Sequence, residues 1–298
     1  MFSQYFGSYL LNKGYLTPKQ LQRALELQDA VHLKLGILAL NEGLMTPEQI
    51  NETHEKQRVM DKRFGEIAVE LGYLTEPQVV NLLNMQKKSH LQLGQALIDE
   101  GYLTMEELNK ALEEYKTDFG LSNKSFAALQ QDNIEEIVQV YTDFTVSRYY
   151  KYYSDYMTLF LKNLMRLLNL SSRLEHNKLT SEYKSSYMVY QEIKGPVSFF
   201  TAIASDDVET MTNLAGNYAG EKYTSYDELS QAALSEFLNL HNGIFLVNMS
   251  NLDIELELNP QVSAQDIELQ IKGSGYVIPI YTSSGRFDVI LGENVTIK

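Results

Sequence analysis

The amino-acid sequence opens with a 29-residue repeat, and this repeat constrains the fold more than any other feature of the chain. Three positions recur at that interval in four consecutive copies: a first glycine, a second glycine and a threonine. They are Gly7, Gly36, Gly65 and Gly94; Gly14, Gly43, Gly72 and Gly101; and Thr17, Thr46, Thr75 and Thr104. A fixed period of this length is typical of a structural unit that repeats along the chain.

Each copy predicts two helices. The second glycine, Gly14 in the first copy, can adopt the left-handed conformation that ends a helix. Thr17 then predicts the start of the next helix, because its hydroxyl can cap the helix while Gln20 bonds back to the threonine N–H. Such a helix pair cannot bury its apolar side alone, so neighbouring copies are expected to stack. We therefore predict an all-α domain of four helical repeats over residues 1–116.

The repeat follows the pattern Phe-Gly-x-x-Leu-Leu-x-x-Gly-x-Leu-x-x-x-x-Leu-x-x-x-Leu-x-x-Gln, which resembles the N-terminal MshEN domain of type II secretion and pilus ATPases. The best matching copies are 62–86 and 34–57. Some members of that family bind cyclic di-GMP, and the resemblance implies a site for it in which an arginine contacts a phosphate or a guanine edge. The implied residues are Lys34, Gln57, Arg63, Gly65, Gly72 and Gln86. The alternative is that these glycines only cap and pack helices.

Composition excludes several other functions. The net charge of −14 argues against a duplex-DNA footprint, and we expect no nucleic-acid partner. The absence of cysteine excludes disulfides and thiolate metal sites. The five histidines have no paired spacing, so no metal site is predicted. The sequence contains no run of 18 apolar residues, so no membrane span is predicted. No signal peptide is apparent, and we expect a cytoplasmic location. The sequence lacks the phosphate-binding motif Gly-x-x-x-x-Gly-Lys-Ser/Thr, so ATPase activity is not predicted.

The second half of the chain has a different pattern. Residues 117–135 are polar and predict a linker, and residues 136–298 predict an α+β domain with an antiparallel sheet. A long helix is expected over about 136–168, and further helices are expected to begin at Asp206 and at Ser225, the latter with Glu228 as a capping box. The segments with strand patterns are 197–203, 252–258, 265–272, 275–282 and 286–291.

The helix that begins near residue 225 carries the candidate catalytic residues. Glu236 and Asn239 are three residues apart and so lie on one helical face; Gly243 follows, and Pro260 comes after the next strand. This arrangement resembles the CheC/CheX/FliY phosphatases of bacterial chemotaxis over roughly residues 140–292. One Glu-x-x-Asn copy occurs within this region, which is similar to the CheX branch, and this resemblance implies a homodimer.

The resemblance implies that the chain removes the phosphoryl group from the aspartyl phosphate of a response-regulator receiver domain. Asn239 would position a water, since a neutral amide orients water without repelling the phosphoryl group, and Glu236 would anchor the receiver's lysine. The receiver would supply the divalent metal, so no cofactor of the chain's own is expected. The repeats would regulate or localise this activity. Two alternatives stay open: Glu236 and Asn239 are ordinary solvent-facing residues, or the chain is a non-catalytic module that senses cyclic di-GMP or docks a partner.

Overall fold

The computed structural model describes residues 2–27, 34–57, 62–84 and 89–298. The chain divides into two compact units, which we call the N-terminal unit (Met1–Asp132) and the C-terminal unit (Asn133–Lys298). The predicted combination of helices with an antiparallel sheet is confirmed. No helix of the described residues is long and apolar enough to cross a membrane.

In the N-terminal unit, the regular secondary structure of the described residues is helical. Its helices are α1 (Phe2–Asn12), α2 (Pro18–Leu27), α3 (Leu35–Asn41), α4 (Pro47–Gln57), α5 (Phe64–Glu70), α6 (Glu76–Asn84), α7 (Ser89–Asp99), α8 (Met105–Asp118) and α9 (Asn123–Gln130). The segment 117–135 thus contains the end of α8, all of α9 and the boundary between the two units.

The second glycine of each repeat ends a helix in the same way four times. Gly14, Gly43, Gly72 and Gly101 have φ angles of +76°, +64°, +73° and +68°. In every copy the N–H of the next residue donates to the carbonyl five residues before it, as from Tyr73 to Ala68 at 2.9 Å. This is the hydrogen-bond pattern of a glycine-terminated helix.

The threonine of each repeat stands at the start of the following helix and is bonded by the residue three positions later. The side-chain oxygen of Gln20, Gln49, Gln78 or Glu107 accepts from the N–H of the threonine three residues earlier, at 2.9, 2.8, 2.8 and 2.8 Å. These bonds satisfy N–H groups that have no partner within the helix.

The first glycine of each repeat lies where two helices approach closely. A Cβ atom added at Gly7, Gly36, Gly65 or Gly94 would meet the side chain found 14 residues later at 2.8, 3.0, 2.9 and 3.1 Å. Those side chains are Leu21, Ile50, Val79 and Leu108. The 29-residue period of these glycines is therefore explained by helix packing.

The C-terminal unit combines helices with one seven-stranded sheet. Its helices are α10 (Ile134–Tyr141), α11 (Tyr150–Leu167), α12 (Val208–Ala219) and α13 (Glu228–Ser250). Its strands are β1 (Ser172–Leu174), β2 (Lys178–Lys194), β3 (Phe199–Ser205), β4 (Glu257–Leu258), β5 (Val262–Thr282), β6 (Gly285–Gly292) and β7 (Val295–Ile297).

The sheet is antiparallel in the order β1-β5-β6-β3-β2-β4, and β2 also pairs with β5. Each of the four strands β5, β6, β3 and β2 is therefore paired with the next, and the last, β2, is paired again with β5. The apolar cluster formed by strands β2, β3, β5 and β6 contains Met188, Phe200, Ala202, Ala204, Leu269, Ile271, Val277 and Ile290. Neighbouring residues in these strands point to the opposite face of the sheet, and they include Gln191 and Thr201, which bond to α13.

Three sequence-based boundaries were wrong. The two strands predicted at 265–272 and 275–282 are one strand, β5, which continues through Gly273 at a φ of +141°. The helix predicted over 136–168 is two helices, α10 and α11, because Asp143 accepts from the N–H and hydroxyl of Thr145 and forms a turn between them. The strand predicted at 252–258 is reduced to β4.

The cap of α13 also differs from the prediction. Asp227, and not Ser225, accepts hydrogen bonds from the N–H groups of Leu229 and Ser230, both at 3.2 Å. The helix therefore begins at Glu228, with the Ser225 hydroxyl donating to the Asp227 carboxylate. A carboxylate is the stronger cap here because its charge also favours the positive end of the helix. Asp207 caps α12 in the same way, one residue after the predicted Asp206.

Candidate functional site

One side of α13 is exposed along most of its length, and the candidate catalytic pair lies on it. Each residue of this side lies three or four positions from another residue of it, so they share one helical face. This surface, which we call the α13 face, consists of Leu229, Ala232, Glu236, Asn239, Leu240, Gly243 and Val247.

Glu236 and Asn239 are placed side by side on this face, as their spacing predicts. Glu236 is exposed and Asn239 is half-buried. Burial raises the pKa of Tyr218 on α12, and the negative charge of Glu236 raises it further. The acid and the amide are therefore open to a partner molecule, and the phenol of Tyr218 lies close enough to the acid to feel its charge.

Gly243 has no packing role that the structure reveals. A Cβ atom added there would meet no atom within 4 Å, and the residue lies inside a regular helix, where glycine is less favourable than alanine by about 1 kcal/mol. The missing side chain leaves open space one turn beyond Asn239. A partner's backbone can approach the helix closely at this point.

Apolar side chains surround the polar pair. Leu229 is 71% exposed, Val247 is 61% exposed and Leu240 is 38% exposed. Together these side chains add exposed apolar area to the α13 face, on which a partner can pack. The α13 face can therefore bind a partner and present an acid and an amide to it.

The side-chain oxygen of Asn239 accepts a hydrogen bond from a buried residue of the sheet. Gln191 on β2 is 1% exposed, and its amide nitrogen donates to Asn239 Oδ1 at 2.9 Å. The same nitrogen donates to the carbonyl of Asn259, the residue before Pro260, at 2.8 Å. The side-chain oxygen of Asn239 is thus held by one hydrogen bond toward the core. Its amide nitrogen donates to no side chain or carbonyl of the described residues.

Sequence reasoning missed Gln191 and the two residues that hold it, Thr201 and Asn242. These three come from β2, β3 and α13 and have no common spacing in the sequence. Asn242 gave no usable signal, because a spacing of three from Asn239 predicts a neighbouring position on the helix surface, whereas the structure places Asn242 in the core. Its side chain is fully buried.

His241 lies in the core below the α13 face, as a buried helix residue. The Asn163 amide nitrogen donates to its Nδ1 at 3.0 Å, and the Tyr156 ring lies 4.4 Å from its ring centre. Burial lowers the pKa of His241 to about 3. The ring is therefore neutral at physiological pH.

The residues implied for cyclic di-GMP binding lie at several positions of the N-terminal unit. Arg63 is exposed, and its N–H donates to Glu66. Lys34 forms an ion pair with Asp99 at 2.6 Å. Gln57 donates to the carbonyl of Lys62 at 3.3 Å.

The two glycines of that set have structural roles. Gly65 is in contact range of Val79 and Leu35, and Gly72 has the left-handed conformation that ends α5. Gln86 lies outside the described residues. The ligand site itself stays a prediction.

Metal-binding clusters are missing from the described parts of the chain: no group of three or more His, Asp or Glu residues there could hold a metal ion.

About half of the chain is similar in structure to solved chemotaxis proteins. A CheC-like superfamily protein from Shewanella sp. PV-4 matches 47% of this chain and 96% of its own length, at 15% identity and a TM-score of 0.42. CheX from Desulfovibrio desulfuricans matches 50% of this chain and 99% of its own, at 12% identity and a TM-score of 0.42. A chain of the CheX–CheY–BeF3–Mg²⁺ complex from Borrelia burgdorferi matches 49% of this chain and 97% of its own length, at 17% identity and a TM-score of 0.40.

No protein-family model matches the sequence, and no curated protein matches it either. The side chains of the α13 face indicate which chemistry the C-terminal unit can perform.

Proposed function

We propose that the C-terminal unit removes the phosphoryl group from the aspartyl phosphate of a receiver domain that docks on the α13 face. The observation that carries this proposal is the placement of Glu236 and Asn239 side by side and open to solvent, beside the space above Gly243. The exposed apolar residues of the face supply the area on which the receiver binds.

The chemistry asked of the site is small. A water oxygen bonds to phosphorus, the bond from phosphorus to the receiver's aspartate oxygen breaks, and the carboxylate leaves while the water's protons end on phosphate and solvent. The receiver contributes its own divalent metal and lysine, so the chain needs no cofactor. What remains is to hold the water in line with the leaving oxygen, which is a positioning task.

Asn239 is suited to that task because its amide is neutral and one of its ends is already fixed by Gln191. Glu236 is suited to binding the receiver's lysine, because it is exposed and an ion pair at a docked surface loses water around it. Glu236 is therefore assigned to binding, and Asn239 to the chemical step.

A steady-state assay of phosphate release from a phosphorylated receiver tests these roles. Receiver domains from the source organism are phosphorylated with a small phosphodonor, and the decay is measured with and without the protein. We expect E236A to raise KM by about tenfold or more, the loss of one charge-assisted hydrogen bond. We expect N239A to lower kcat by about 100-fold, the usual effect of removing one positioned polar group. Unchanged decay in the presence of wild-type protein would refute the proposal.

A second function is supported by a different observation. Leu35 of the second repeat lies against Gly65 of the third, so the starts of helices α3 and α5, which follow Lys34 and Arg63 in the sequence, are neighbours. This supports a cyclic di-GMP site there, through which the repeats would regulate or localise the phosphatase. Calorimetric titration of cyclic di-GMP into wild type and R63A tests it, and no heat at tens of micromolar ligand would contradict it.

The homodimer and the cytoplasmic location expected from the sequence stay predictions. Light scattering of the purified chain measures the first.

A further inference from the structure

A network of buried amides lies between α13 and the sheet, directly below Asn239. Gln191, Thr201 and Asn242 are its centre, and each is at most 1% exposed. Buried amides are costly unless every donor and acceptor has a partner. The direction of each hydrogen bond in this network is therefore decided by the groups at its ends.

One end of the network is the backbone carbonyl of Gln191, which can only accept. The Thr201 hydroxyl donates to it at 3.0 Å, so the hydroxyl oxygen accepts from its other neighbour, Asn242 Nδ2, at 3.0 Å. The same Asn242 nitrogen donates to the side-chain oxygen of Gln191 at 2.8 Å. The Tyr156 hydroxyl donates to Asn242 Oδ1 at 2.8 Å and completes this amide.

The other end is the backbone carbonyl of Asn259, which also can only accept. It receives the Gln191 side-chain nitrogen at 2.8 Å. Both ends of the Gln191 amide are thus assigned, with oxygen toward Asn242 and nitrogen toward Asn259. The second hydrogen of that nitrogen goes to Asn239 Oδ1 at 2.9 Å.

The orientation of the Asn239 amide follows. If it were turned over, its NH₂ group would face the NH₂ group of Gln191, and a buried donor would lose its acceptor. Leaving a buried donor without an acceptor is costly enough to keep one orientation in large excess. The amide oxygen therefore faces inward and the amide nitrogen faces solvent.

We propose that Gln191 is a positioning residue that keeps the Asn239 amide nitrogen directed outward as a hydrogen-bond donor. The inference rests on the proposed function: the outward N–H₂ donates to a phosphoryl oxygen or to the attacking water of the docked receiver. Without Gln191, the asparagine can present either its nitrogen or its oxygen, and only part of the molecules has the donor in place.

A double-mutant cycle tests the kinetic part. We expect Q191M, which keeps the side-chain length and removes all three side-chain hydrogen bonds of Gln191, to lower kcat several-fold with KM changed less than twofold, because the freed asparagine has its donor in place in only part of the molecules. In the N239A background the same substitution should change the residual rate less than twofold, because Gln191 acts through Asn239. Equal losses in both backgrounds would show that Gln191 only supports the fold and would overturn the proposal.

A measurement on wild-type protein tests the orientation without any catalysis. NMR of the ¹⁵N side-chain amides, with the Asn239 signals identified by their loss in N239D, reports solvent exchange at each NH₂ group. We expect the Gln191 protons to be protected and the Asn239 protons to exchange like those of a free amide. Protected Asn239 protons would overturn the proposal even if phosphatase activity is present, and the expected exchange would support the orientation even if no receiver is dephosphorylated.

Discussion

The first glycine of each repeat and the glycine of the α13 face both lie in helices, but the structural reasons for a glycine at these positions differ. At Gly65 a Cβ atom would meet Val79 Cγ1 at 2.9 Å and Leu35 Cδ2 at 3.0 Å, so packing of the N-terminal unit explains the residue. At Gly243 a Cβ atom would meet nothing within 4 Å. A glycine that packing does not require, next to an exposed acid and amide, fits the partner docking that is proposed for this face.

The largest expected difference comes from placing the same large side chain at both glycines. G65L should destabilise the N-terminal unit by about 1–3 kcal/mol, the usual result of adding a side chain to a filled interface. G243L should leave the C-terminal unit at least as stable as wild type, since leucine favours a helix over glycine. Hydrogen exchange of α5 and α13 measures both. A loss of stability in G243L similar to that in G65L would remove the contrast between the two glycines.

Acid should weaken the C-terminal unit through the core beneath the α13 face. The pKa of His241 is about 3 in the fold because of burial and about 6.5 in the unfolded chain. Below pH 6.5 the unfolded chain therefore binds a proton that the fold does not, and stability falls as pH falls. The loss from this residue between pH 7 and pH 5 is about 2 kcal/mol.

Urea denaturation of wild type and H241Q at the two pH values measures this effect. The wild type should lose about 2 kcal/mol more than the variant between pH 7 and pH 5. Equal losses in the two proteins would show that His241 does not titrate as burial implies.

The helix-ending glycines should respond to a smaller substitution than the packed ones. Gly72 has a φ of +73° and open space where a Cβ would lie, so G72A adds backbone strain without a clash. We expect a loss of about 1 kcal/mol, measured by hydrogen exchange of α5. No loss would mean that this turn does not need its left-handed residue.

The smallest expected effect separates stability from function at one residue. G243A should stabilise α13 by about 0.5–1 kcal/mol and, by filling the space beside Asn239, raise KM for the phosphorylated receiver several-fold. Thermal unfolding and the phosphate-release assay measure the two effects on the same sample. Greater stability with an unchanged KM would show that the open space is not used in docking.

The sequence was most informative where the structure is local. The glycine at the end of each helix and the threonine at the start of the next were predictable, because each depends on residues within one turn. The common face of Glu236 and Asn239 was predictable for the same reason. Their chemistry was suggested by resemblance and stays a proposal.

The sequence was least informative where distant elements meet. The bond from Gln191 to Asn239 joins β2 to α13, and no spacing within either element indicates it. The continuity of β5 through Gly273 was missed because a glycine pair within an apolar pattern is usual for a turn. The pairing of that strand with both β2 and β6 keeps it extended.

The most direct test of the central claim is the rate of phosphate release from a phosphorylated receiver with equal amounts of folded wild type, N239A and N248A. Asn248 is exposed on the same helix but lies off the α13 face, so its loss is the matched control. The account predicts a rate with wild type that N248A reproduces and that N239A lowers by about 100-fold. Equal rates for N239A and wild type would contradict it.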